Sequence, residues 1–134
     1  PIMIHRGIIS TMERMTAFLI EYYAGAFPVW LSPVQAIILP IKDSVNEFAR
    51  NFHLELQKMG LRVNLDIRNE KLGYKIREAQ VQKIPYMLVI GEKELQENKV
   101  AVRRRDGKDL GAMSMDDFKS LIQDDINSKR SRFE

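Results

Sequence analysis

Asn69, Glu94 and Arg103 are polar side chains set at the approaches to apolar stretches of this chain, where they can recognise a ligand. An amide and a carboxylate each recognise a base edge through hydrogen bonds, and a guanidinium reads guanine acceptors or holds a phosphate. Recognition of single-stranded RNA uses splayed bases read at their edges in this way. Asn69 falls in a basic loop, Arg68-Asn69-Glu70-Lys71, just past one apolar alternation. Glu94 falls just past a fully apolar run, and Arg103 lies in the alternation after that. In a twisted sheet these positions can converge on one side.

Catalytic chemistry is harder to find. The seven glycines are scattered and match neither the dinucleotide fingerprint nor the P-loop. There are two histidines. His53 sits inside a helical pattern, one residue from its apolar stripe, and reads as a partly exposed helix residue. His5 alone reads as structural, since a metal normally needs at least about three protein ligands. The paired carboxylates are Asp116-Asp117 and Asp124-Asp125. The first pair opens a helix, where the helix dipole explains it, and the second reads as solvated surface. Taken alone, the chain shows no active site.

The elements that must carry Asn69, Glu94 and Arg103 follow from hydrophobic periodicity. Residues 35–41 form a continuous apolar run, the pattern of a strand buried on both faces. Residues 42–59 read as a helix with Val45, Phe48, Ala49, Phe52, Leu56 and Met59 inward. Ser44 and Glu47 are placed as its capping box and Gly60 as its stop. Leu61, Val63, Leu65 and Ile67 alternate with polar residues and predict an edge strand. A helix over 73–83 follows, then the buried strand 86–90, with residues 91–94 as a turn. Two crossovers through helices imply parallel strands. Residues 99–105 and 109–113 then read as a hairpin around Asp106-Gly107, and Ser114 as the cap of a last helix. In that helix Phe118, Leu121, Ile122 and Ile126 face the core, and residues 128–134 read as a frayed terminus. The fold class is α/β, a mixed sheet of about five strands with helices packed on it.

The first 24 residues differ. They read as a strand end and a helix starting near Thr11, with Ser10 and Glu13 as its capping box. Ile8, Met12, Met15, Leu19 and Tyr22 share one face, more apolar surface than a short chain readily covers. Residues 24–34 are a connector punctuated by Gly25, Pro28 and Pro33. Its Phe27, Trp30 and Leu31 predict an ordered linker pressed against both neighbours.

Composition bounds the rest. The chain has 134 residues, enough for one domain with a core. No apolar run approaches the roughly 20 residues of a membrane helix, and no secretory pattern opens the chain. The absence of cysteine excludes disulfides and Cys-held metal within it and fits a cytoplasmic protein. The start at Pro1 rather than Met suggests a piece of something longer. Net charge is only +3. Basic residues nevertheless concentrate in 68–83 and 99–108 and acidic ones in 109–125, a segregation that suits either a polyanion-binding face or solvated surfaces.

Four stretches in order, HRGIISTMERM (5–15), GAFPVWLSPVQ (25–35), RNEKLGYKIREAQVQKIPYMLVIGEKE (68–94) and KVAVRRRDGKDLG (99–111), resemble the C-terminal part of bacterial threonyl-tRNA synthetases. The resemblance covers nearly the whole chain. It implies that residues 1–24 are the end of a class II catalytic domain including motif 3 and residues 25–32 a linker. Residues 33–134 would be an anticodon-binding domain with a three-layer, five-stranded mixed sheet. It places Arg14 at the motif 3 arginine, which contacts ATP, and His5 at the last of three zinc ligands. The other two ligands, a Cys and a His, lie outside this sequence, so no formed zinc site is predicted here. ATP and zinc would belong to the full-length enzyme, a threonine-tRNA ligase and homodimer. This piece, predicted inactive alone, is expected to bind neither and to take the tRNA(Thr) anticodon stem-loop. Asn69, Lys83, Glu94 and Arg103 match base-contact positions, with Lys71 and Arg105 beside them. Lys83 stands where some relatives have Arg; without the planar fork, phosphate contact is its expected role. The other reading is a non-catalytic accessory or regulatory module of the same fold, binding another RNA or a protein.

Overall fold

The computed structural model describes residues 1–4, 6–9 and 11–129. Its centre is one five-stranded sheet in the order β2-β1-β3-β4-β5. The strands are β1 (Ala36–Pro40), β2 (Val63–Leu65), β3 (Tyr86–Ile90), β4 (Lys99–Arg104) and β5 (Asp109–Ser114). β1 runs parallel to β2 and β3, and β4 and β5 are antiparallel additions. Every residue of β1 and β3 is buried, as their unbroken apolar sequences require.

The helices are α1 (Met12–Tyr23), α2 (Asn46–Lys58), α3 (Leu72–Val81), α4 (Glu92–Glu97) and α5 (Met115–Ser128). On one face of the sheet, Phe52 of α2 and Phe118 and Ile122 of α5 meet Ile38, Tyr86, Leu88, Val100 and Val102. Phe118 takes Phe52 and Tyr86 edge-on, with centroids 6.5 and 5.8 Å away. On the other face α3 lays Ala79 and Ile76 over Ile37, Leu39, Met87 and Val89. Period-two alternation along β4 divides its residues between these faces: Val100 and Val102 enter the first core, while Ala101 and Arg103 face the second. There Arg103 and Ala112 are exposed. The second face is thus a helix-covered half beside an open half.

Several local expectations need correction. Ser44 does not cap α2. Asp43–Val45 forms a single 3-10 turn, and the local side-chain bond is from Asn46 to Asp43 at 3.1 Å. Residues 91–94 are not a simple turn: they open α4, where Glu94 accepts the Gly91 N–H at 2.9 Å. A side chain at Gly91 would bring a Cβ to 2.8 Å from that carboxylate, so the glycine makes room for it. Thr11 caps α1, its Oγ1 accepting from the Arg14 N–H at 3.4 Å; Ser10 lies outside the described residues. Ser114 does cap α5, accepting from the Asp117 N–H at 3.0 Å. The expected frayed end falls mostly on residues 130–134, outside the described residues; α5 itself runs to Ser128.

α1 buries none of its residues. Met12, Phe18, Ile20 and Tyr22 are exposed, as are Ile2, Met3, Ile4, Ile8 and Ile9 before it. The linker is ordered differently, with Pro28, Val29 and Ser32 buried against the sheet domain.

Candidate nucleic-acid interface

Parallel strands leave their loops on shared rims. β1, β2 and β3 all end on one rim, at Pro40, Leu65 and Ile90. The loop after β2 carries Asn69 and Lys71 there, and α4 after β3 carries Glu94. Asn69 and Lys71 are exposed and Glu94 is half-buried. A cleft of about 240 Å³ on this rim is lined by Pro40, Lys42, Asn46, Asn69 and Lys75.

The Asn69 loop is held in place by a charged network. Asp66 is buried, and its two carboxylate oxygens accept from the Arg68 guanidinium at 2.9 and 2.7 Å. It also accepts the Arg68 N–H at 3.1 Å, and Arg68 reaches on to Glu78 at 2.5 Å. Lys75, buried inside α3, donates to the Asp66 carbonyl at 3.0 Å and the Pro40 carbonyl at 3.3 Å, tying the ends of β2 and β1 together. Lys75 falls on the same stripe as Leu72 and Ala79, a cation at a core position; that misplaced charge was the cue in the sequence. Hydrogen bonding to Arg68 holds the Asp66 carboxyl below its usual range, and hydrogen bonding to Asp66 and then Glu78 raises Arg68. The sign follows. A carboxyl with a depressed folded-state pKa stabilises the fold above its unfolded pKa, and that contribution disappears as pH falls through the folded value. Acid titration of unfolding should therefore show stability falling below about pH 4. Asp66→Asn should flatten that limb and lower the plateau at neutral pH.

Arg103 approaches from another direction. It pairs in register with Met87, three residues along β3 from its end at Ile90. At about 3.3 Å per residue this sets it roughly 10 Å from the loop rim. That is too far for one base and suits successive, splayed ones. Its guanidinium is half-exposed and pairs with Asp109 at 3.1 Å. Asp109 is held below its usual range by the Gly111 N–H first and Arg103 after it.

Lys83 and Arg105 sit elsewhere. They occupy the opposite rim, where β3 begins and β4 ends, and the Arg105 N–H donates to the Pro85 carbonyl at 3.0 Å. The Arg105 guanidinium donates to the carbonyls of Phe27 at 2.5 Å and Ala26 at 2.9 Å, and the Lys83 ammonium to that of Ala24. Burial pushes the Arg105 pKa down. Of the six candidates on the sheet domain, then, three share the loop rim, Arg103 stands on the face between, and two hold the linker. Sequence spacing could not separate them, because Lys83 and Arg105 flank the same strand and hairpin as the others.

Residues 35–125 match the family model described as an anticodon binding domain. The chain belongs to the anticodon-binding domain family. Among curated relatives, the threonine--tRNA ligase of Desulforamulus reducens is 55% identical over 96% of this chain and 20% of its own length. That of Alkalilimnicola ehrlichii is 52% identical over 94% of this chain and 20% of its own. The chain thus spans about one fifth of the curated relatives it matches. The solved RNA-binding domain of threonyl-tRNA synthetase from Cryptosporidium parvum superposes with a TM-score of 0.80 at 37% identity, covering 83% of this chain and 28% of that one. The five-stranded mixed sheet is accordingly the scaffold of an anticodon-binding domain.

Two residues assigned by resemblance lie outside that domain. Arg14 is exposed on α1, and no step with ATP can be built from its surroundings. His5 lies outside the described residues. Among the described residues no group of three His, Cys, Asp or Glu side chains could hold a metal. Among the described residues, too, no helix is long and apolar enough to cross a membrane.

Proposed function

We propose that this chain is the anticodon-reading part of a threonyl-tRNA synthetase and binds the anticodon loop of tRNA(Thr). The observation that carries it is the open half of the second sheet face. Arg103 is exposed on that half, while Asn69, Lys71 and Glu94 stand on the loop rim beside it. The longer protein would join threonine to tRNA using ATP, with zinc gripping the amino acid, and this chain would supply identity recognition.

The chemistry of each group suggests its task. An ionised carboxylate only accepts hydrogen bonds. Guanine presents two adjacent donors on its Watson–Crick edge, so Glu94 suits the guanine at the second anticodon position. Its Oε2 accepts from Gly91, which fixes the carboxylate and leaves Oε1 for the base. Asn69 both donates and accepts, which suits the uracil at the third position. Arg103 can reach an acceptor of either base or the phosphate between them. Lys71 is a mobile point charge, suited to phosphate. Lys83 and Arg105 are left out of the RNA contacts, since their donors are turned to the linker.

Binding of a threonine-anticodon stem-loop, followed by fluorescence anisotropy across a salt series, tests the assignment. Lys71→Ala should lower affinity for all loops alike and reduce the slope of log affinity against log salt by about 0.7 to 1. An unchanged slope would remove Lys71 from the interface. No binding above that of an unrelated hairpin would count against the whole reading.

A further inference from the structure

The structure assigns Arg105 and Lys83 a role beyond RNA recognition: we propose that they are a latch that fixes the direction of α1 relative to the anticodon-binding domain. α1 has no buried residue of its own and no basic residue in its last turn. Tyr23 leans on Phe27 of the linker, with ring centroids 5.9 Å apart, and the last turn of the helix supplies no cation to its C-terminal carbonyls. The domain supplies two. The helix ends at Ala24 in the left-handed conformation, and the chain continues through Gly25, also at positive φ. The Ala24 carbonyl accepts from Lys83, and those of Ala26 and Phe27 accept the two arms of the Arg105 fork. Cations placed against the negative end of a helix dipole are favourable. A guanidinium presents its donors in a fixed plane, so it constrains direction as well as distance.

The latch has its own support. Arg105 also donates to the Lys83 carbonyl at 3.3 Å, joining the two cations to each other. Lys83 has φ +57°, a conformation that a side-chain-bearing residue adopts at a cost. Further along, Arg62 donates to the Ser32 carbonyl at 2.9 Å and the Trp30 carbonyl at 3.1 Å. Gln35 donates to the Val29 carbonyl at 3.1 Å. The linker folds on itself through short turns, with the Leu31 and Ser32 N–H groups both donating to the Pro28 carbonyl at 3.0 Å, and side chains of the domain tie those turns to the sheet. Since α1 bears Arg14, the latch sets where that cation stands with respect to the reading face. Arg103 lies in β4 and Arg105 directly follows its last residue, Arg104, so one segment carries a reading residue and one half of the latch.

The chain has no cysteine, so paired labels can be placed without background. Spin labels at Thr16→Cys on α1 and Arg50→Cys on α2, both exposed positions, report the direction of α1. A second pair, Arg50→Cys with Gln80→Cys on α3, reports the domain alone. With the native latch, electron–electron distance measurement should give one narrow population for each pair. The double substitution Lys83→Ala with Arg105→Ala should cost the 16–50 pair its single population and leave the 50–80 pair unchanged. Arg105→Lys, which keeps the charge without the fork, should give intermediate breadth; if the double variant disturbs the 50–80 pair, this single variant decides. A 16–50 distance as narrow in the variants as in the native chain overturns the latch. The measurement contains no RNA, so its outcome is separate from that of the anticodon reading. Stem-loop affinity measured on the same variants should be unchanged. A loss of affinity with the narrow distance retained would make these residues RNA contacts and overturn the proposal.

Discussion

Glu94→Gln is expected to abolish most of the preference for guanine at the second anticodon position while leaving the domain folded. The glutamine keeps an oxygen that can accept from Gly91, as Glu94 does at 2.9 Å, so the start of α4 survives. Its second terminal atom becomes an NH₂ group and meets the guanine donors with a donor. Losing one good base contact removes about 1–3 kcal/mol of discrimination, or roughly 5- to 150-fold in relative affinity. Glu94→Ala should lose the same discrimination and destabilise the start of α4 as well. The comparison of the two separates reading from support. Competition between stem-loops differing only at the second anticodon base provides the measurement. A Gln variant that still prefers guanine by the native factor would take Glu94 out of base recognition.

Phe118→Ala should lower the stability of the fold by about 3–5 kcal/mol, a large share of the ~5–15 kcal/mol available to a domain. The ring is fully buried and sits where α2, α5 and β3 meet, edge-on to Phe52 and Tyr86. Its edge-on neighbours Phe52 and Tyr86 are themselves buried. Urea unfolding should show an earlier midpoint with an unchanged slope. Because this core lies on the face opposite Arg103, stem-loop affinity measured well below the midpoint should be native. An equal loss of affinity and stability would contradict the division of the sheet into a packed face and a reading face.

The sheet was legible because its strands differ in burial and so in sequence. β1 and β3 are buried throughout and read as unbroken apolar runs, and β4 alternates because one of its faces is partly open. What escaped was local. α4 was hidden by its length of six residues, although Gly91 at the cap, Glu94 three positions on and Asn98 at positive φ are a helix-boundary pattern. The Ser44 cap failed because a 3-10 turn moved the start of α2 past it. Of Asn69, Glu94 and Arg103, expected from the sequence to converge, Asn69 and Glu94 do share a rim, because loops after parallel strands end together, while Arg103 stands on the neighbouring face. Lys83 and Arg105 could not be separated from them. A basic side chain that donates to a linker carbonyl has the same sequence signature as one that faces RNA, and only the fold brings the acceptors at Ala24, Ala26 and Phe27 to Lys83 and Arg105.

Anticodon reading by this face is tested by affinity for a series of stem-loops identical except at the anticodon. Tight binding should require guanine at the second position and uracil at the third, and should tolerate any base at the first. Each wrong base at the second or third position should cost about 1–3 kcal/mol. Equal affinity for every loop in the series would contradict reading of the anticodon by this face.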